Sequence, residues 1–321
     1  DQSANGVMPA PEGVSDTVAR EEHEWRFGVF DDFRSAWLPP PFPAQRVEAP
    51  GLWKYDTTTR DFIAAEDDLT TAGIDYAATG LELDISATAL QTSTPSSSAV
   101  GSELTALPDD LPLEVRQLSR AVTSRAVTDY DRAVALQQWF RRDGGFTYSL
   151  DASTGNGADD LVSFLDDGPD GRTGYCEQFA SAMAVMARAL DIPARVAVGF
   201  LRPEQVGGTE RRPLWEYSSD DLHAWPELYF PGSGWVRFEP TPAGRASEVP
   251  DYTRGGGSAP SAEEPDVGAG RGDAPLPRQN EGGSGSGATP EQQAAGTGTA
   301  TATSPTDAWA DAAVPLGGTA L

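Results

Sequence analysis

The sequence predicts an α+β protein, and three patterns in its 321 residues carry that expectation. Phe179, Met183, Met186 and Leu190 recur at helical spacing with small alanines between them. Ala194, Val196, Val198 and Phe200 then alternate at the period of a strand, and residues 221–242 read as a hairpin with two aromatic-rich arms. Ahead of both lie short apolar runs broken by turn residues, the mark of a small β-rich unit.

Residues 1–20 are small and polar without periodicity and are expected to be a flexible leader. Over 21–90, runs such as Trp25-Arg26-Phe27-Gly28-Val29-Phe30 and Leu81-Glu82-Leu83-Asp84-Ile85 alternate with Asp31-Asp32, Ala49-Pro50-Gly51 and Asp56-Thr57-Thr58-Thr59, which predicts a small β-rich domain. Its Pro39-Pro40-Pro41 run is read as a stiff loop covering the sheet in preference to a polyproline ligand. The Ser/Thr-rich stretch 91–103 is read as a linker. A second domain, 104–245, opens with a helix over Pro112–Val127 and a second helix capped by Thr128 or Asp129 and stopped by Gly144-Gly145. A short strand over Phe146–Leu150, an apolar turn over Leu161–Leu165, the helix beginning at Cys176, the strand opened by Pro193, a polar loop over Pro203–Pro213 and the hairpin complete it. Residues 246–321 are nearly all Gly, Ser, Ala, Thr, Pro and acid, a composition that buries too little surface to fold, and are expected to be a disordered tail. The Arg271-Gly272-Asp273 triplet in it is read as chance.

The formal net charge of −26 argues against nucleic acid and anionic lipid as partners. A single cysteine permits no internal disulfide, and with only His23 and His223 there is no Cys/His cluster for zinc; no metal or cofactor is expected. Asp166, Asp170, Gly171 and Glu177 fall on an EF-hand-like frame, but Gly168 stands where a side-chain oxygen is needed, so a tight turn is the better reading. No run of about 18 apolar residues is present. The chain begins without methionine and is read as a fragment lacking its signal or membrane segments.

Cys176 heads the helix, where unpaired N–H groups and the positive end of the dipole suit a nucleophile. A thiol nucleophile needs a base, and the base needs an acceptor to orient it. His223 and Glu239 downstream supply those chemistries, although a buried inert cysteine and a core histidine would fit each residue taken alone.

Four motifs then occur in order: Gly174-x-Cys176, Ile192-Pro193-Ala194-Arg195-Val196-x-x-Gly199, His223-Ala224-Trp225-Pro226-Glu227, and Gly234-Trp235-x-x-Phe238-Glu239-Pro240-Thr241. Together, over about residues 104–243, they resemble the core of the transglutaminase-like superfamily, and especially a bacterial branch in which this domain faces outward from a multi-spanning membrane protein. The resemblance implies a papain-like fold with the cysteine helix packed on an antiparallel sheet. It implies Cys176 as nucleophile, His223 as general base and acid, and Glu239 as orienting acid, where the family usually has aspartate. It also implies acyl transfer on protein carboxamide side chains, a protein or peptide substrate, attachment to a membrane through segments absent here, and a place on the extracytoplasmic face. A peptidase or amidase using the same triad is the alternative, and a non-catalytic binding module a second. Tyr175, Gln178 and Trp225 are close enough in sequence to line the cleft or supply an oxyanion donor, and can equally be packing residues. A four-residue turn at 231–234 would pair His223 with Pro242 and turn Glu239 to the opposite face, so a β-bulge near Pro226 is expected.

Overall fold

Phe179, Met183 and Met186, which sequence spacing puts on one helical face, are all 0% exposed, and the second half of the protein packs around them. The computed structural model describes residues 2–254 other than 153, 154, 156, 170, 202 and 244–248. These lie in one compact unit. The tail expectation from 255 onward, the Arg271-Gly272-Asp273 triplet and Asp170 lie outside the described residues.

The first part is β: β1 (Gln2–Ser3), β2 (Gly6–Val7), β3 (Arg20–Gly28), β4 (Ala44–Glu48), β5 (Trp53–Tyr55), β6 (Phe62–Ala64) and β7 (Asp75–Leu83). They form a four-stranded sheet, β2-β4-β7-β3, and a three-stranded one, β1-β5-β6, around Val47, Trp53, Tyr55, Phe62 and Tyr76. The expected flexible leader is corrected here. Ser3 pairs with Lys54 and Val7 with Arg46, and Ala4 is fully buried. Strands of two residues are too short to show a period, and main-chain pairing holds them whatever their side chains. The proline run lies on β7: the Tyr76 hydroxyl donates to the Pro39 carbonyl at 2.8 Å, and a Cβ on Gly80 would come within 2.7 Å of Pro41.

The stretch read as a linker is also packed. It continues from α1 (Ala87–Gln91), Ser96 is fully buried, and the Ser93 hydroxyl donates to the Pro231 carbonyl at 3.1 Å. Hydroxyls with partners, the Pro231 carbonyl for Ser93 and the Asp129 carboxylate for Ser96, let a Ser/Thr run be buried without large apolar groups.

Next come α2 (Leu113–Val122) and α3 (Asp129–Gln138). α2 stops short of the expected Val127, which is exposed. α3 is capped by Thr128: its hydroxyl accepts the Asp131 N–H, while the Asp131 carboxylate accepts the Thr128 N–H, both at 3.1 Å. A π-helical turn, Trp139–Asp143, runs on to Gly144, and Gly145 follows at φ 69. β8 (Thr147–Tyr148) pairs in parallel with β9 (Thr173–Gly174), with α4 (Ala158–Leu165) between them. α5 (Cys176–Arg188) then lies against a three-stranded antiparallel sheet, β10-β13-β14, made of β10 (Ala194–Phe200), the central β13 (Leu222–Phe230) and β14 (Gly234–Arg237). The segment expected as a loop at 203–213 is a hairpin, β11 (Glu204–Thr209) with β12 (Arg212–Glu216). All its side chains are exposed, so neither face leaves an apolar alternation in the sequence.

Residues 249–254, assigned by composition to the tail, dock on this domain. The Tyr252 hydroxyl donates to the Arg237 carbonyl at 2.9 Å, the Tyr252 carbonyl accepts from the Tyr130 hydroxyl, and Thr253 is buried. The core is completed by Phe140, Phe146 and Phe164, whose rings meet Phe179 edge-on. Phe179→Ala should therefore cost about 3–5 kcal/mol, read as a lowered midpoint in urea unfolding followed by circular dichroism.

Candidate active site

Three small residues make room at the head of α5. A Cβ on Gly174 would meet the Phe164 ring at 2.8 Å, and Cys176 packs on Ala180 and Ala224. Tyr175 is extended (φ −118, ψ −179) and ends the approach to the helix. Its N–H donates to Gln178 Oε1 at 2.8 Å, so that oxygen caps the helix and leaves Cys176 as the first helical residue, 6% exposed. The Tyr175 hydroxyl donates to Glu177 Oε2 at 2.9 Å; burial and that carboxylate push the phenol up to about 12.

Strand register brings the other groups together. β13 and β14 pair from Phe230↔Gly234 to Glu227↔Arg237, and the Phe238 N–H donating to the Pro226 carbonyl at 2.9 Å carries the pairing one step further. In this register Glu239 falls opposite Trp225 and diagonal to His223, on the face both share. The expected bulge is absent. The turn holds only Pro231, Gly232 and Ser233, because Gly234, at φ 74, is already paired. That single residue turns Glu239 to the face of His223. Pro226 has no N–H to return to Phe238, and the strand ends after Arg237.

His223 Nε2 lies 2.9 Å from Glu239 Oε2, with the two residues 3% and 0% exposed. Cys176 packs on Ala224, the residue beside His223 in β13; with Nε2 on Glu239, Nδ1 is the ring nitrogen left for an interaction with sulfur. Burial alone would lower the pKa of His223, but interaction with Cys176 and Glu239 raises it to about 9. Burial by itself would raise the Glu239 carboxyl; His223 and Arg237 outweigh it and hold the group below its ordinary value. Further partners fix the carboxylate and its main chain. Oε2 also accepts from Arg237 Nη2 at 2.9 Å and Oε1 from the Thr241 N–H at 3.1 Å. The Glu239 N–H donates to Gln137 Oε1 at 2.9 Å, and its carbonyl accepts from Arg141 Nη1 at 3.4 Å.

Trp225 stands beside the histidine, ring centroids 6.3 Å apart and 25° from parallel. It covers Gly199, where a Cβ would come within 2.9 Å of the indole, and the Arg237 guanidinium lies 5.3 Å from its ring. Its buried indole N–H has no partner among the described residues. Of the cleft candidates, Trp225 thus adjoins His223, Tyr175 precedes Cys176, and Gln178 Oε1 is committed to capping. Sequence reasoning missed Arg237, Thr241 and Gln137. The first two were findable at two residues on either side of Glu239; Gln137, on α3, carries no local signal. Among the described residues no group of three His, Cys, Asp or Glu is placed to hold a metal.

Residues 116–240 match the family model of the transglutaminase-like superfamily. That stretch is a transglutaminase-like domain within the chain. Relatives include the Bacillus subtilis protein YebA, 36% identical over 138 residues (42% of this chain, 18% of that protein). A protein-glutamine gamma-glutamyltransferase of Pseudomonas aeruginosa is 34% identical over 112 residues, 34% of this chain and 15% of that protein. The aligned part spans less than a fifth of either relative. Among solved structures, the periplasmic domain of TgpA from Pseudomonas aeruginosa superposes with a TM-score of 0.52 at 21% identity, covering 75% of each chain. That likeness extends the fold assignment beyond the transglutaminase-like domain.

The pKa shifts set a pH dependence of stability. His223 rises from 6.5 to about 9 on folding, so its contribution is fully present below about 6.5 and lost as pH rises through 9. The lowered Glu239 contributes above 4.5 and loses its contribution as pH falls through its folded value. Urea unfolding of the protein should show stability declining between pH 6.5 and 9, and His223→Gln should remove that decline.

Proposed function

We propose that this protein is a cysteine-dependent acyltransferase of transglutaminase type, acting on protein carboxamide side chains. The observation that carries the reading is the buried His223 ring, 2.9 Å from Glu239 through Nε2, with the Cys176 thiol buried against the neighbouring residue Ala224. Cys176 is the nucleophile, His223 the general base and acid, and Glu239 the residue that orients the ring and steadies its charge.

In the first half-reaction the Cys176 sulfur attacks the carboxamide carbon, and a C–S bond forms as the carbonyl electron pair moves to oxygen. The Cys176 N–H, in the first turn of α5 where no helical carbonyl claims it, is a donor for that oxyanion. Collapse breaks the C–N bond; His223 gives its proton to the departing nitrogen, and ammonia leaves a thioester on Cys176. A primary amine then attacks the thioester, His223 takes its proton, and the sulfur is released. Water in place of the amine gives hydrolysis, the outcome an amidase or peptidase would show. Trp225, with an unpartnered N–H beside His223, is our candidate for the cleft wall; Tyr175 flanks the nucleophile from the other side.

We also place the domain on the extracytoplasmic face of a bacterial membrane, attached through segments outside this chain. The likeness to a periplasmic domain supports that location. Among the described residues no helix is long and apolar enough to cross a membrane, so attachment would need other parts of the protein.

The test is incorporation of a fluorescent primary amine into a glutamine-rich protein. Incorporation is expected, abolished by Cys176→Ala and reduced about 10³-fold or more by His223→Ala. Peptide fragments without incorporation would replace transamidation with proteolysis. Incorporation undiminished in Cys176→Ala would exclude the cysteine mechanism. Glu239→Gln, which keeps the shape but not the charge, should cost on the order of 10²-fold in kcat with little change in KM.

A further inference from the structure

Arg237 has no part in the reaction as derived, yet its Nη2 and His223 Nε2 each lie 2.9 Å from the same oxygen, Glu239 Oε2. The two cationic groups are therefore at most twice that distance apart. Arg237 is held there from three sides. Its guanidinium lies 5.3 Å from the Trp225 ring centroid, its carbonyl accepts the Tyr252 hydroxyl at 2.9 Å, and strand pairing sets it opposite Glu227. Glu227 does not take the guanidinium: its carboxylate is paired with Arg195, 2.7 Å away. Arg237 is thus left to Glu239.

A buried carboxylate shared by one cation alone would hold that cation's proton very firmly. For the proposed reaction this is a handicap, because His223 must release its proton to the leaving nitrogen. A second, permanent cation on the same oxygen draws on the same negative charge and repels the imidazolium, and arginine stays charged at every working pH. The charged and titratable groups facing His223 are Cys176 from α5, Glu239 from the segment after β14, and Arg237 from β14; β10 contributes only Gly199 opposite it.

We propose that Arg237 is a positioning residue that divides Glu239 Oε2 between two cations and so governs how firmly the carboxylate holds the His223 ring. The inference rests on the reading of His223 and Glu239 as base and orienting acid, and deepens it.

The test reads the ring directly. The full chain contains only two histidines, His23 and His223, so ¹⁵N-histidine NMR gives two ring titrations, assigned with His23→Gln. Replacing Arg237 by Met should raise the His223 midpoint by about one pH unit, a few-ångström charge–charge effect at the dielectric of a partly buried site. Arg237→Lys should restore most of the original midpoint, because it keeps the charge. Arg237→Gln serves the same purpose if the Met variant fails to fold. The alkaline limb of the pH–rate profile for amine incorporation should move in the same direction as the midpoint. An unchanged or lowered His223 midpoint in the Met or Gln variant would overturn the proposal and leave Arg237 a packing residue. Because the midpoint is read without turnover, a chain that proved inactive toward amides would defeat the proposed function while this result still stood or fell by itself.

Discussion

A carboxylate with no exposure to water stays ionised only where cations and N–H groups replace its hydration, and the arrangement around Glu239 follows from that constraint. Each partner comes from a different stretch of chain. His223 stands on the central strand, Arg237 on the strand beside it, Thr241 two residues beyond Glu239 itself, and Gln137 on the helix capped by Thr128. Gln137 also donates to the Thr253 hydroxyl at 3.0 Å, which ties the segment after the domain into the same network. Removing any one partner leaves the others facing a buried charge, so the network specifies the relative position of helix and sheet as well as the chemistry.

The thiol side of the site is built on small residues. Gly174 admits the Phe164 ring, while Ala180 and Ala224 let Cys176 settle against β13 next to His223. The same economy recurs at Gly199, which gives Trp225 its place over the sheet. The bulky side chains of α5 lie on its other face, where Phe179, Met183 and Met186 fill the interior and fix the direction in which the helix points its N-terminus.

Where side chains carry a period or a stop, the sequence was readable. The α5 stripe, the strand after Pro193, the Thr128 cap and the Gly144-Gly145 stop each have a local physical cause, and the resemblance supplied the order of Cys176, His223 and Glu239. Where main-chain pairing or exposure decides, it was not. β1 and β2 are too short for a pattern, and β11 with β12 buries neither face. Residues 251–254 look like a tail, yet Tyr252 and Thr253 anchor them to the domain. The hairpin shows the limit most plainly. Pro231-Gly232-Ser233-Gly234 offers four turn formers, and only the pairing of Gly234 with Phe230 shows that the last belongs to the strand. That one residue decides whether Glu239 meets His223.

The central claim is that an acyl group passes through the sulfur of Cys176. The most direct measurement is mass spectrometry of the acid-quenched protein after it is mixed with a glutamine-containing peptide and no amine, followed by digestion to locate any adduct. The account requires an adduct on Cys176 with the mass of the peptide less ammonia, discharged when a primary amine is added before quenching. An unmodified Cys176 while ammonia is released from the peptide would contradict it.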